Sequence, residues 1–104
     1  MRYAFVMQLK AGCEKKYLER HQKIWPELST LLTQYGISNY QIFLLPQTLQ
    51  LFASFDAPSN FDSAGLKEES LMLKWWDSMA KYMQVKKNSN EPLSIELTEM
   101  FYMS

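Results

Sequence analysis

One histidine, one cysteine and three glycines stand among the 104 residues of this chain, and each scarcity removes a class of chemistry. A single His and a single Cys cannot supply the nitrogen and sulfur ligands of a zinc site, so no metal is expected. One cysteine also forbids an intrachain disulfide, the usage of a reducing compartment. Cys13, just ahead of a helix, reads as incidental rather than as a nucleophile. Gly12, Gly36 and Gly65 lie far apart. Neither a phosphate-cradling loop nor a Gly-x-Ser-x-Gly elbow can be built from them, and no cofactor is expected.

An excess of charge is missing too. Eleven Lys and Arg balance eleven Asp and Glu. The basic residues form no stripe that would neutralise several phosphates, so nucleic acid is not an expected partner. No segment approaches the roughly 20 apolar residues of a membrane span. The first ten residues lack the apolar core and small-residue cleavage pattern of a secretory leader. The expectation is a cytoplasmic protein with no membrane partner and a neutral small ligand. No repeat or low-complexity tract divides the chain, so residues 1–104 are expected to form one domain. A domain of this size buries a modest share of its surface, which makes association between copies a common source of further stability.

What is present is patterning. Arg2 to Leu9 alternates Tyr3, Phe5, Met7 and Leu9 with Ala4, Val6 and Gln8, the period of a strand. From Glu14 to Tyr35 the spacing becomes helical, with Tyr17, His21, Ile24, Leu28, Leu31 and Tyr35 on one stripe, and Gly36 ends it. Pro26 inside that stripe restricts Trp25 before it, so a kink or break is expected between Gln22 and Trp25, beside His21. Ser38 to Leu45 and Leu49 to Phe55 read as strands joined by Pro46-Gln47-Thr48. Asn60 to Met83 reads as helical, split at Gly65, with Met72, one of Trp75 and Trp76, Met79 and Met83 on its apolar stripe. Val85 to Leu93 reads as a solvated loop and Ser94 to Met103 as a fourth strand.

This order predicts an α+β fold, a ferredoxin-like antiparallel sheet with both helices on one face. A sheet with one wet face shows clean alternation of apolar and polar residues, and this one does not. Phe5 and Val6, Ile42 and Phe43, Leu51 and Phe52, and Phe101 with Met100 and Tyr102 put large apolar groups on both sides of the strands. The economical expectation is a homodimer packed sheet against sheet, a dimeric α+β barrel.

Three places gather residues suited to holding a sugar: Tyr17, His21 and Trp25 at helical spacing, Asn39 with Tyr40 opening the second strand, and the pair Trp75 and Trp76. Neighbouring helical residues point about 100° apart, so one of the two tryptophans is expected to pack and the other to line a cavity or interface. Aromatic residues on a helix stripe are ordinarily core. His21 stands out because imidazole is the one side chain with an unperturbed pKa near neutrality, and the chain holds no other.

The run Tyr17-Leu18-Glu19-Arg20-His21-Gln22-Lys23-Ile24-Trp25-Pro26-Glu27-Leu28 resembles the helix-one signature of the L-rhamnose mutarotases. Ala4-Phe5-Val6-Met7, the stretch from Gly36 to Leu44, Lys74-Trp75-Trp76 with Met79 and Met83, and Glu99-Met100-Phe101-Tyr102 are similar to further parts of that family. The resemblance implies a dimeric α+β barrel that needs no cofactor and equilibrates the α and β anomers of rhamnose. It implies His21 as proton donor and Tyr17, Tyr40, Trp75 and Trp76 as sugar-binding residues. Mutarotation needs two proton-handling groups. The second is open between Tyr17, Tyr40, Glu27 and a bound water. Two rival readings use the same scaffold: a cofactor-free monooxygenase, and a non-catalytic sugar-binding or dimerisation module.

Overall fold

Strand alternation and helical spacing translate into nine short elements. The computed structural model describes all residues, Met1–Ser104. They are β1 (Arg2–Gln8), α1 (Glu14–Gln22), α2 (Pro26–Gln34), β2 (Ser38–Leu45), β3 (Gln50–Asp56), α3 (Ser63–Glu68), α4 (Ser70–Met79), a 3₁₀ turn (Ala80–Tyr82) and β4 (Ser94–Glu96). The sheet order is β2-β3-β1-β4 with every pair antiparallel, as the ferredoxin-like pattern requires.

The breaks between elements have local causes. Trp25 is held extended (φ −60°, ψ 127°) by Pro26, which becomes the first residue of α2, so the expected break falls where it was placed. Gly36 adopts φ +87°, and a Cβ there would sit 2.7 Å from Pro58, so the turn into β2 admits only glycine. Gly65 does not split the second helical region. It lies inside α3, where its amide donates to the Asp62 side chain that caps the helix. The split falls at Glu69 instead, whose extended backbone ends α3 and starts α4 while its carboxylate accepts a 2.8 Å hydrogen bond from the Tyr35 hydroxyl.

One further expectation holds and another changes. The segment Val85–Leu93 is the loop expected, with Lys87 to Asn90 exposed, and it is tied down: Val85 bridges to Pro92, Glu91 pairs with Lys67 and Lys86 at 3.2 and 2.8 Å, and Asn90 donates to Asp77. These ties fix it on α3 and α4. The fourth strand spans only Ser94–Glu96, opposite Met7, Val6 and Phe5. Leu97 adds one bond to Ala4, and from there the chain meets no partner strand, leaving Met100, Phe101, Tyr102 and Met103 exposed. Apolar residues in that tail predicted a strand, but a strand needs a ladder beside it.

Met7, Leu51, Ala53 and Phe55 fill the helix-facing side of the sheet and bury against Tyr17, Leu28, Met72, Trp75 and Met79. The opposite face is apolar as well. Phe43, Phe52, Val6 and Ile95 lie in one cross-strand row, with Phe43 62% and Ile95 69% exposed. No helix is long and apolar enough to cross a membrane.

Candidate active site

Between the helices and the sheet lies an open cavity of about 1700 Å³. It has two aromatic walls.

The helix wall centres on His21, in the last turn of α1. Its Nδ1 lies 3.0 Å from the Tyr17 carbonyl oxygen. A carbonyl only accepts, so Nδ1 carries the proton in the neutral ring and Nε2 keeps a free lone pair. The Tyr17 ring lies 4.3 Å away at 31°, and the Trp75 ring meets the imidazole edge-on at 5.5 Å and 85°. Trp25 does not line the cavity but backs Trp75, 5.0 Å away at 85°. Burial lowers the His21 pKa. The bond to the Tyr17 carbonyl opposes that shift, and the Arg20 charge adds to it.

The sheet wall is carried by a β-bulge. Ser38 pairs with Asp56 and Gln41 with Ser54, so Asn39 and Tyr40 together oppose Phe55. Asn39 takes the left-handed conformation (φ 51°) that such a bulge needs, and its side-chain amide donates to Asp56 at 3.0 Å. Arg2 holds the other Asp56 oxygen at 2.9 Å. These two hydrogen bonds pull the Asp56 carboxyl down to about 2. Behind the bulge Tyr40 stacks on Phe55 at 5.2 Å, with Phe5, Tyr3 and Phe61 completing the cluster.

Two phenols face the cavity. Tyr40 is 40% exposed at its mouth, yet the protein around it makes the phenolate unfavourable and pushes its pKa to about 12. Tyr17 is raised as well, first by burial and then by proximity to Tyr40. Neither hydroxyl bonds to a protein group, so at neutral pH both are free donors.

All five residues expected at the site, Tyr17, His21, Tyr40, Trp75 and Trp76, line this one cavity. Trp75 is the packed tryptophan, 6% exposed, and Trp76 is half-buried, yet both reach the lining. Glu27 does not. It lines a separate groove with Gln34 and Glu69, not the cavity that holds His21. The sheet aromatics Phe5 and Phe55 were legible only as strand core. No three His, Cys, Asp or Glu side chains converge as a metal site would require.

Such a fold and cavity define a class: a small α+β protein with one imidazole, two phenols and several aromatic rings around a single cavity beside an antiparallel sheet. The family model described as L-rhamnose mutarotase matches residues 2–103, and the chain belongs to that family. It is 44% identical over 102 residues to an L-rhamnose mutarotase of Formosa agariphila, covering 98% of this chain and 97% of that one. It is 43% identical to one of Bacteroides thetaiotaomicron with the same coverage. A crystal structure of an L-rhamnose mutarotase from Formosa agariphila superposes with a TM-score of 0.91 at 42% identity, covering 100% of this chain and 99% of that one.

Proposed function

We propose that this protein interconverts the α and β anomers of L-rhamnose and that His21 moves the protons. The observation that carries the assignment of His21 is its hydrogen bond: with Nδ1 committed to the Tyr17 carbonyl, the neutral ring offers Nε2 to the cavity as a base. Ring opening then balances as follows. The anomeric hydroxyl gives its proton to Nε2 and becomes the aldehyde oxygen, the bond from C1 to the ring oxygen breaks, and the ring oxygen takes a proton from a donor on the wall. Tyr17 and Tyr40 present protonated hydroxyls for that purpose. Rotation about C1–C2 followed by closure from the other face returns both protons. In the closing half His21 is the donor, so its two roles belong to one cycle. Indole and phenyl faces suit the C–H faces and methyl group of a neutral deoxysugar. One-dimensional exchange NMR of rhamnose anomers tests this: wild type speeds the exchange and His21→Asn does not. Exchange at the uncatalysed rate with wild-type protein overturns it.

The working form in this proposal is a homodimer in the cytoplasm, with its sheets packed face to face. The row Phe43, Phe52, Val6 and Ile95 and the unpaired apolar tail support that assembly. An obligate interface of this kind buries about 2,000 Å² or more. Light scattering that finds a monomer at micromolar concentration overturns the dimer. The free thiol of Cys13 suits a reducing compartment.

A further inference from the structure

Arg20 has no part in the chemistry above, yet its guanidinium is held by one hydroxyl and two indole rings. It follows Glu19 on α1 and directly precedes His21, and its guanidinium reaches α4. There one terminal nitrogen donates to Ser78 Oγ at 2.9 Å, and Ser78 Oγ donates in turn to the Trp75 carbonyl at 2.7 Å. The guanidinium carbon lies 5.4 Å from the Trp75 ring and 5.9 Å from the Trp25 ring. Its Nε is fully buried and finds no acceptor. No carboxylate pairs with it.

Burying part of an unpaired cation is costly, and an apolar side chain of similar size would fill the same space more cheaply. What offsets the burial is two indole faces and one hydroxyl. The beneficiary is the site, because the indole that Arg20 grips is the one whose edge meets His21. We propose that Arg20 is a positioning residue: lying over Trp25 and Trp75 where those two rings meet, and tied to Ser78, it fixes Trp75 against His21 and keeps a permanent positive charge beside the imidazole. Lysine would keep the charge but lose the delocalised, planar guanidinium and its several fixed donors.

The groups facing His21 leave this charge unopposed. From α1 they are Arg20 and the carbonyl and protonated phenol ring of Tyr17, from α4 the uncharged Trp75, and from the sheet wall of the same cavity the protonated phenol of Tyr40. A positive neighbour resists protonation, so removing it moves the His21 titration upward in pH.

The inference rests on the catalytic reading of His21, and the test separates the two. The chain has one histidine, so its ring C–H proton gives a single titrating NMR signal. Arg20→Met is expected to titrate at higher pH than wild type and to lose about 10- to 100-fold in exchange rate at saturating rhamnose, with KM changed far less. Arg20→Lys is expected to titrate as wild type while recovering only part of the rate. An unmoved titration in Arg20→Met, or a rate within about twofold of wild type when misplacement should cost more, overturns the proposal. Should Arg20→Met fail to fold, Arg20→Lys decides: a full rate with unchanged tryptophan fluorescence overturns the proposal, and a reduced rate with altered fluorescence upholds it. If His21→Asn keeps its rate, the catalytic reading falls, while the Arg20→Met titration still reports on the charge.

Discussion

The two walls of the cavity are both aromatic, but they are built by different means. The helix wall is held by side chains that grip one another: Arg20 over two touching indoles, Ser78 on Trp75, His21 on the Tyr17 carbonyl. The sheet wall is held by backbone geometry, a bulge at Asn39 fastened through Asp56 to Arg2. One wall carries the imidazole, whose pKa burial lowers, together with the Tyr17 phenol and two indoles, and the other carries the Tyr40 phenol on a cluster of phenyl rings. The two walls come from different elements and different ties, so each can be altered while the other stays.

The sharpest break in this division is His21→Asn. We expect a folded protein that loses about 10² to 10⁴ in rate, roughly 3 to 5 kcal/mol of transition-state stabilisation, with little change in sugar binding. Titration calorimetry beside exchange NMR checks both halves, and a variant within about threefold of wild type contradicts the role assigned to a general acid and base.

Next in size is the contrast between the tandem tryptophans. Trp75→Ala empties a buried site that supports both His21 and Arg20 and should cost about 3 to 5 kcal/mol of stability, read by denaturant unfolding. Trp76→Ala, half-exposed, should leave the fold in place and weaken rhamnose binding by about 1 kcal/mol. Equal losses of stability in the two variants would erase the distinction.

The walls also respond to acid in separate windows. His21 has a lowered folded pKa, so below its ordinary value of about 6.5 the unfolded chain binds a proton that the folded chain refuses. Stability therefore falls as pH drops from that value toward the lowered one. The rate, which needs the neutral ring, declines as pH falls through the lowered folded value, on the acid side of a free imidazole. Asp56 is lowered from 3.8 to about 2, so its contribution is present above 3.8 and lost between there and about 2. Melting curves over pH 2 to 8 should show both windows in wild type, while His21→Asn and Asp56→Asn should each lack one. A single shared window contradicts the separation.

The smallest effect is expected at the bulge. Asn39→Ala puts a less tolerant residue at positive φ and removes the bond to Asp56, for a loss of about 1 kcal/mol. If the bulge aims Tyr40, this variant should raise KM for rhamnose more than it lowers kcat. An unchanged KM would show that Tyr40 is aimed by its stacking on Phe55 alone.

The helix wall was largely legible in the sequence, while of the sheet wall only Asn39 and Tyr40 were. Helical spacing puts Tyr17 and His21 on one face, and Pro26 announces the end of that stretch because its effect is local. The break at Glu69 is fastened by Tyr35, 34 residues away, and Gly65 drew attention to the wrong place because glycine also serves under a cap. A bulge at Asn39 leaves no trace in alternation, since asparagine visits positive φ in many settings. Phe5 and Phe55 announced a strand interior without announcing a wall. Arg20 looked like one more helix charge because its partners Trp75 and Ser78 come from the other end of the chain.

The helices themselves are short, of nine, nine, six and ten residues. Segments below about 12 residues seldom hold a helix alone in water, so none of them persists without the sheet beneath it. The β1 strand that anchors that sheet pairs with β3, joining Arg2 to Asp56 and so closing most of the chain's first half into a loop. Closing so long a loop comes before any local gain, which sets a slow, all-or-none assembly. Amide protons of α1 and α4 should accordingly exchange with deuterium only when those of β1 and β3 do. His21 would then meet Trp75 only in molecules whose strands have already joined.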